Sequence, residues 1–258
     1  MKIITTLASF IILALSLAAR TDGFNLNPKD IDYFKVKAES GDTYGQYILA
    51  SMYANGFAVT EDDAKAVKWF RKAAEQGHAK AQFYLGVHYS DGEGVAEDDA
   101  EAVKWFRKAA EQGFAESQFN LGAHYSTGEG VAKDDAKVVK WFRKAAEQGH
   151  AKAQFYLGVH YSNGLAVAKD HVEAVKWYRK AAEQGFAESQ FLLGLYYSYG
   201  EGVPEDYVTA YKWLNLSAAQ GFEDSISAKE EIAQKMTEEQ IAEAQMLSRE
   251  WVAKHQSR

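Results

Sequence analysis

Cysteine is absent from the 258 residues, which removes disulfides, thiol catalysis and thiolate metal sites together. Proline is nearly absent, with two residues against 20 glycines. Alternating apolar and polar runs that would mark strands are also missing, so the chain reads as helices punctuated by glycine turns. A basic balance is lacking: 29 Lys and Arg face 36 Asp and Glu, and the net charge of -7 argues against nucleic acid as a partner. Long hydrophobic runs are lacking everywhere except at the start. What remains, 47% apolar and 25% charged residues, is enough to bury a sizeable core.

The one apolar run extends from Ile3 to Ala19, behind Met1-Lys2, and is broken only by Thr5, Thr6, Ser9 and Ser16. Polar sequence follows from Arg20. This is the layout of a secretory signal peptide over residues 1–19, with small residues Ser16 and Ala18 placed for cleavage near Ala18 or Ala19. The run falls short of the roughly 20 residues of a comfortable membrane span. The expectation is a periplasmic or secreted protein with no stable membrane span in its mature chain, an uncleaved anchor being the alternative.

Internal periodicity governs the rest. Trp69, Trp105, Trp141, Trp177 and Trp213 stand 36 residues apart. The same step relates Gly41, Gly77, Gly113, Gly149, Gly185 and Gly221, and also the columns headed by Leu49, Tyr53 and Gly56. Chance cannot produce five such columns. Each period reads as two helices. In the run 62–76, Ala66, Phe70, Ala73 and Ala74 share one stripe, while Lys68, Arg71, Lys72 and Glu75 share the solvent side. The column Asp62, Asp98, Asp134, Asp170 and Asp206 sits where this helix starts and is suited to cap its free N–H groups. Gly77 and its equivalents stop it. The other, more apolar helix over 79–90, which comes first when copies are counted from residue 43, needs neighbours on both sides, so the copies must stack. Gly86, Gly122, Gly158 and Gly194 on it permit close helix contact.

The pattern A-x-x-x-L-G-x-x-Y-x-x-G-x-G-V, then Asp, then W-F-R-K-A-A-E-Q-G, resembles the Sel-one-like repeats, relatives of the tetratricopeptide repeats. It recurs over 43–78, 79–114, 115–150, 151–186 and 187–222. The resemblance implies an all-α, right-handed α-solenoid of antiparallel helix pairs, with a concave face used as an adaptor surface for other proteins. Residues 20–42 read as a linker with a partial repeat or capping helix, opened by Asn27-Pro28. Residues 223–258 read as capping helices, with Thr237-Glu238-Glu239-Gln240 as a capping box.

Positions that differ between copies are not held by the shared packing. They concentrate on one stripe of the first helix, which starts with Tyr44 in the first copy and ends with Tyr199 in the last. Between these lie Tyr84 and His88, Asn120 and His124, Tyr156 and His160, and Leu192 and Tyr196, the candidate binding residues. Aromatic anchors with polar neighbours suit an extended peptide or protein partner. No metal is expected on the histidines at 88, 124 and 160. Stacked helices lie about 8–10 Å apart, which puts ladder histidines at the edge of reach of one ion, and no fixed carboxylate is evident beside them. No cofactor is implied. No H-E-x-x-H, G-x-S-x-G, S-x-x-K or complete P-loop occurs, and the Asp pairs 62-63, 98-99 and 134-135 read as helix starts. A non-catalytic scaffold is therefore expected. The alternative is weak β-lactam binding or hydrolysis, as the resemblance implies through a cysteine-rich secreted branch of the family. That branch staples each repeat with a disulfide that this chain cannot form.

Overall fold

The computed structural model describes residues 30–256, and the signal-peptide reading of residues 1–19 and the Asn27-Pro28 cap lie outside them. Among the described residues there are 13 helices and no strand: α1 (Asp30–Glu39), α2 (Thr43–Asn55), α3 (Asp63–Glu75), α4 (Ala79–Asp91), α5 (Asp99–Glu111), α6 (Ala115–Thr127), α7 (Asp135–Glu147), α8 (Ala151–Asn163), α9 (His171–Glu183), α10 (Ala187–Tyr199), α11 (Tyr207–Ala219), α12 (Glu223–Ala233) and α13 (Glu238–Gln256). None is long and apolar enough to cross a membrane. The fold class is the all-α repeat of helix pairs.

The helix starts follow the predicted aspartates. Asp62 Oδ1 accepts the backbone N–H of Lys65 at 2.9 Å, and Asp98, Asp134, Asp170 and Asp206 repeat the bond at 3.0 Å. Two of the first helices use a cap that sequence reasoning did not assign: His78 Nδ1 accepts from Ala81 N–H and His150 Nδ1 from Ala153 N–H, each at 3.1 Å. A neutral ring with its proton on Nε2 is required for that bond.

The described residues form two compact units, divided inside α6. One runs to Ser117 and includes Glu129–Ala132. In it α2 packs on α3 and α4 on α5 within a pair, and α1 on α2 and α3 on α4 between pairs. Its core joins Leu49, Ala66, Phe70, Ala73, Ala74, Ala81 and Leu85. A Cβ on Gly86 would lie 2.7 Å from the Phe106 ring, so a side chain there would wedge the pair apart. The other unit holds Gln118–Gly128 and the chain from Lys133. In it α8 packs on α9 and α10 on α11 within pairs, and α7 on α8 and α9 on α10 between them. Here Gly158 meets Tyr178 at a projected 2.6 Å.

A buried amide ladder runs through both units. Gln82 Nε2 donates to Ala74 O at 3.0 Å, and its Oε1 accepts from Gln112 Nε2 at 2.7 Å. Gln46 and Gln76, Gln154 and Gln184, and Gln190 and Gln220 repeat the arrangement, and Gln148 donates to Gln118 in the same way. At the last junction serines replace it: Ser225 Oγ donates to Ser217 Oγ at 2.7 Å, which donates to Ala187 O at 2.8 Å. Beyond this, α13 lies against α11, with Trp251 edge-on to Trp213 at 6.3 Å between ring centres. Its start is the predicted capping box, Thr237 N–H to Gln240 Oε1 at 2.9 Å and Gln240 N–H to Thr237 Oγ1 at 3.3 Å.

Candidate functional site

The variable stripe divides by burial. Tyr44, Tyr156 and Tyr199 are 39%, 42% and 62% exposed. Tyr84, Asn120, Leu192 and Tyr196 are half-buried. His88, His124 and His160 are buried. The buried and half-buried members serve packing as well. In the first unit Tyr84 and His88 both lie on the Phe70 ring, at 5.3 and 5.6 Å between centres. In the second unit Tyr156 and His160 take the same positions on Phe142, at 5.5 and 6.0 Å. Tyr196 lies 5.6 Å from both Tyr178 and His171. Burial raises the Tyr196 phenol above its ordinary range, so it stays a neutral hydroxyl.

The histidines have a role that the sequence does not announce. His88 Nδ1 faces Glu93 O at 3.0 Å, and His160 Nδ1 faces Leu165 O at 2.9 Å. A carbonyl only accepts, so Nδ1 carries the proton, and each ring ties the loop after its helix to the helix itself. The expectation that no fixed carboxylate stands near the histidines is corrected at one of them. The ligand atoms of Asp63, His88 and Glu93 lie within 4.8 Å of one another. The cause is the turn at Gly94, whose φ of +69° folds the loop back until a Cβ would sit 2.3 Å from the Asp63 carbonyl carbon. Glycine takes this conformation at the lowest cost, and a side chain at 94 would press on the Asp63 backbone.

The second helices present a different face. Four of the five repeat Trp rings are buried and covered by the lysine three residues on, Lys72 over Trp69 at 4.4 Å, Lys108 over Trp105 at 3.9 Å, Lys144 over Trp141 at 4.7 Å and Lys180 over Trp177 at 4.0 Å, and Trp213 is met by Lys212 at 4.3 Å. Arg71 donates to the Tyr89 hydroxyl at 2.6 Å and Arg143 to that of Tyr161 at 2.6 Å, so the expected solvent stripe also bridges consecutive pairs. Two shallow cavities of about 330 Å³ occupy equivalent places on this face. One is lined by Lys68, Arg71, Lys72, Glu75 and Val95, the other by Lys176, Arg179, Lys180, Glu183 and Val203. The glutamines, the Arg–Tyr bonds and the cavities were missed in the sequence, although Gln82 and Gln112 belong to columns as regular as the tryptophans.

Comparison with known proteins follows the same register. The Sel1 repeat model matches residues 43–78, 79–114, 115–150, 151–186 and 187–222. A Sel1 repeat protein from Oxalobacter formigenes is similar in structure, with a TM-score of 0.71 and 33% identity over 81% of this chain and 84% of that one. The protein c5321, a protective antigen present in uropathogenic Escherichia coli strains and displaying an SLR fold, is similar at a TM-score of 0.61 and 32% identity. That match covers 95% of this chain, which spans 61% of the other. No curated protein sequence matches.

Proposed function

The chain belongs to the Sel1 repeat family, and on that premise we propose that it is an exported, non-catalytic scaffold holding a protein or peptide partner on the face made by the first helices of its pairs. The observation that carries the reading is the exposure of Tyr44, Tyr156 and Tyr199, three aromatic rings on the stripe that varies between copies. Aromatic side chains offer large contact area at low conformational cost, and an interface draws most of its affinity from a few of them. On the same stripe Tyr84 in the first unit and Asn120, Leu192 and Tyr196 in the second are half-buried, while His88 and His160 each hold the loop after their own helix. Export is supported by the charged tip and apolar run of residues 1–19, and mass spectrometry of the mature N-terminus tests it.

The binding face is tested by crosslinking capture from the source cell, then titration of the purified partner. Changing Tyr156 and Tyr199 together to Ala weakens binding at least about tenfold, and changing Lys68 and Lys104 together to Ala leaves it near the parent value. The opposite result moves recognition to the second-helix face. Turnover of nitrocefin by the pure protein would replace the scaffold with the hydrolase alternative.

A further inference from the structure

We propose that Asp63, His88 and Glu93 form a binding site for a first-row divalent transition metal ion such as zinc, at the junction of the first two helix pairs. The proposal does not rest on the partner-binding reading, although His88 also belongs to the variable stripe.

Three constraints build it. His88 is 6% exposed, and its Nδ1–H is committed to the Glu93 carbonyl, so the free lone pair of the neutral ring is on Nε2. A backbone carbonyl that fixes the tautomer and orientation of the ring is the usual outer partner of a metal-bound histidine. Asp63 is the first residue of α3, but the cap belongs to Asp62, which also takes Lys65 as its ion partner at 2.8 Å. The Asp63 carboxylate is left with its lone pairs free. Glu93 stands between Gly92, which ends α4, and Gly94, which lies against the Asp63 carbonyl, so backbone rather than side-chain contact brings the two acids to one place.

The ligand atoms are close enough. Donors around a tetrahedral zinc with bonds of about 2.1 Å stand roughly 3.4 Å apart. A ring nitrogen of His88 and one carboxylate oxygen each of Asp63 and Glu93 lie within 4.8 Å of one another, and rotation of the half-buried Asp63 and exposed Glu93 side chains would bring their oxygens toward the fixed ring. One imidazole nitrogen and two carboxylate oxygens suit zinc, manganese or cobalt better than calcium or magnesium, which favour all-oxygen sites. Three protein ligands leave a position for water. The two acids carry like charge at short range, and a divalent ion offsets it. The same residue types recur in sequence at Asp99, His124 and Glu129, but the later positions break the set, with Leu165 in place of the acid in one copy and Tyr196 in place of the imidazole in the next.

The test uses the untagged full chain stripped with chelator. Titration with zinc chloride is followed by calorimetry, and a chain loaded with zinc melts higher than the stripped one because the ion binds only the folded loop. Glu93→Gln and Asp63→Asn each weaken zinc binding at least about tenfold, whereas Glu75→Gln, at the far end of α3, does not. Circular dichroism checks that each variant is folded. As a second readout, the ring proton resonances of His88 shift on zinc addition in the parent and not in Glu93→Gln. Zinc affinity unchanged in both variants, or no saturable binding up to roughly millimolar zinc, would overturn the site.

Discussion

Gln184 Nε2 donates to Gln154 Oε1 at 2.8 Å, while Gln154 Nε2 donates to Ala146 O at 3.0 Å, so one buried amide answers a side chain 30 residues ahead and a carbonyl eight residues behind. Gln154 is 4% exposed, and both ends of its amide are satisfied. Replacing it with Leu keeps the volume but takes the acceptor from Gln184 Nε2 and one of two donors from the Ala146 carbonyl, which keeps the Gly149 N–H at 3.0 Å. Gln154→Leu is expected to destabilise the protein by about 1–3 kcal/mol, read from urea unfolding. A loss under about 0.5 kcal/mol would show that water reaches the ladder.

His78 links stability to pH. Burial, with a smaller contribution from Lys80, lowers its pKa below the ordinary 6.5, and its Nδ1 must stay unprotonated to accept from Ala81 N–H. The unfolded chain therefore binds the proton more readily than the folded one. The contribution is fully present above about pH 6.5 and is lost as the pH falls through that value toward the folded pKa. His78→Asn keeps an acceptor at the cap and removes the titration. Its urea midpoint is expected to change less between pH 7 and pH 5 than that of the parent; equal pH dependence would assign the effect elsewhere.

Trp141 is 7% exposed, with Lys144 over its ring. Trp141→Ala is expected to cost about 3–5 kcal/mol and Lys144→Ala less than about 1 kcal/mol, because the ring is buried and the lysine only covers it. Comparable losses in urea unfolding would make the stack, rather than the buried ring, the main contributor.

Ala58 and Ala166 stand where other copies have the second glycine of the loop, and both adopt a positive φ, 60° and 58°. An alanine is strained there by about 1–2 kcal/mol, part of which glycine returns as greater freedom of the unfolded chain. Ala166→Gly is thus expected to stabilise the protein by about 1 kcal/mol, measured by thermal melting. A lower melting temperature would show that the methyl group makes contacts outweighing its backbone strain.

The helix pairs were legible because their causes are local and repeated: Asp62 marks a start, Gly77 an end, and the Phe70 and Ala73 spacing marks a buried face. The aspartate caps and the Thr237 box needed only positions three residues apart. The candidate stripe was legible as a surface of variation but not as a set of exposures. Tyr84 and Tyr156 occupy equivalent positions, yet one is half-buried and the other 42% exposed. The bonds of His88 to Glu93 and Gln82 to Ala74 escaped because each joins a side chain to a backbone carbonyl, and a carbonyl leaves no trace in the residue letters. The approach of Glu93 to Asp63 depends on the Gly94 turn, whose direction in space no spacing encodes.

Ladder, caps and glycine turns share one step of 36 residues, and the copies 79–114 and 151–186 are near duplicates. Crossing over between them excises two whole copies and brings Gln154 up to the carbonyl of Ala74, where Ala146 had been, with every donor still matched to an acceptor. Loss of whole repeats therefore preserves the ladder, whereas a splice misaligned by a single residue would mismatch the amides that span it.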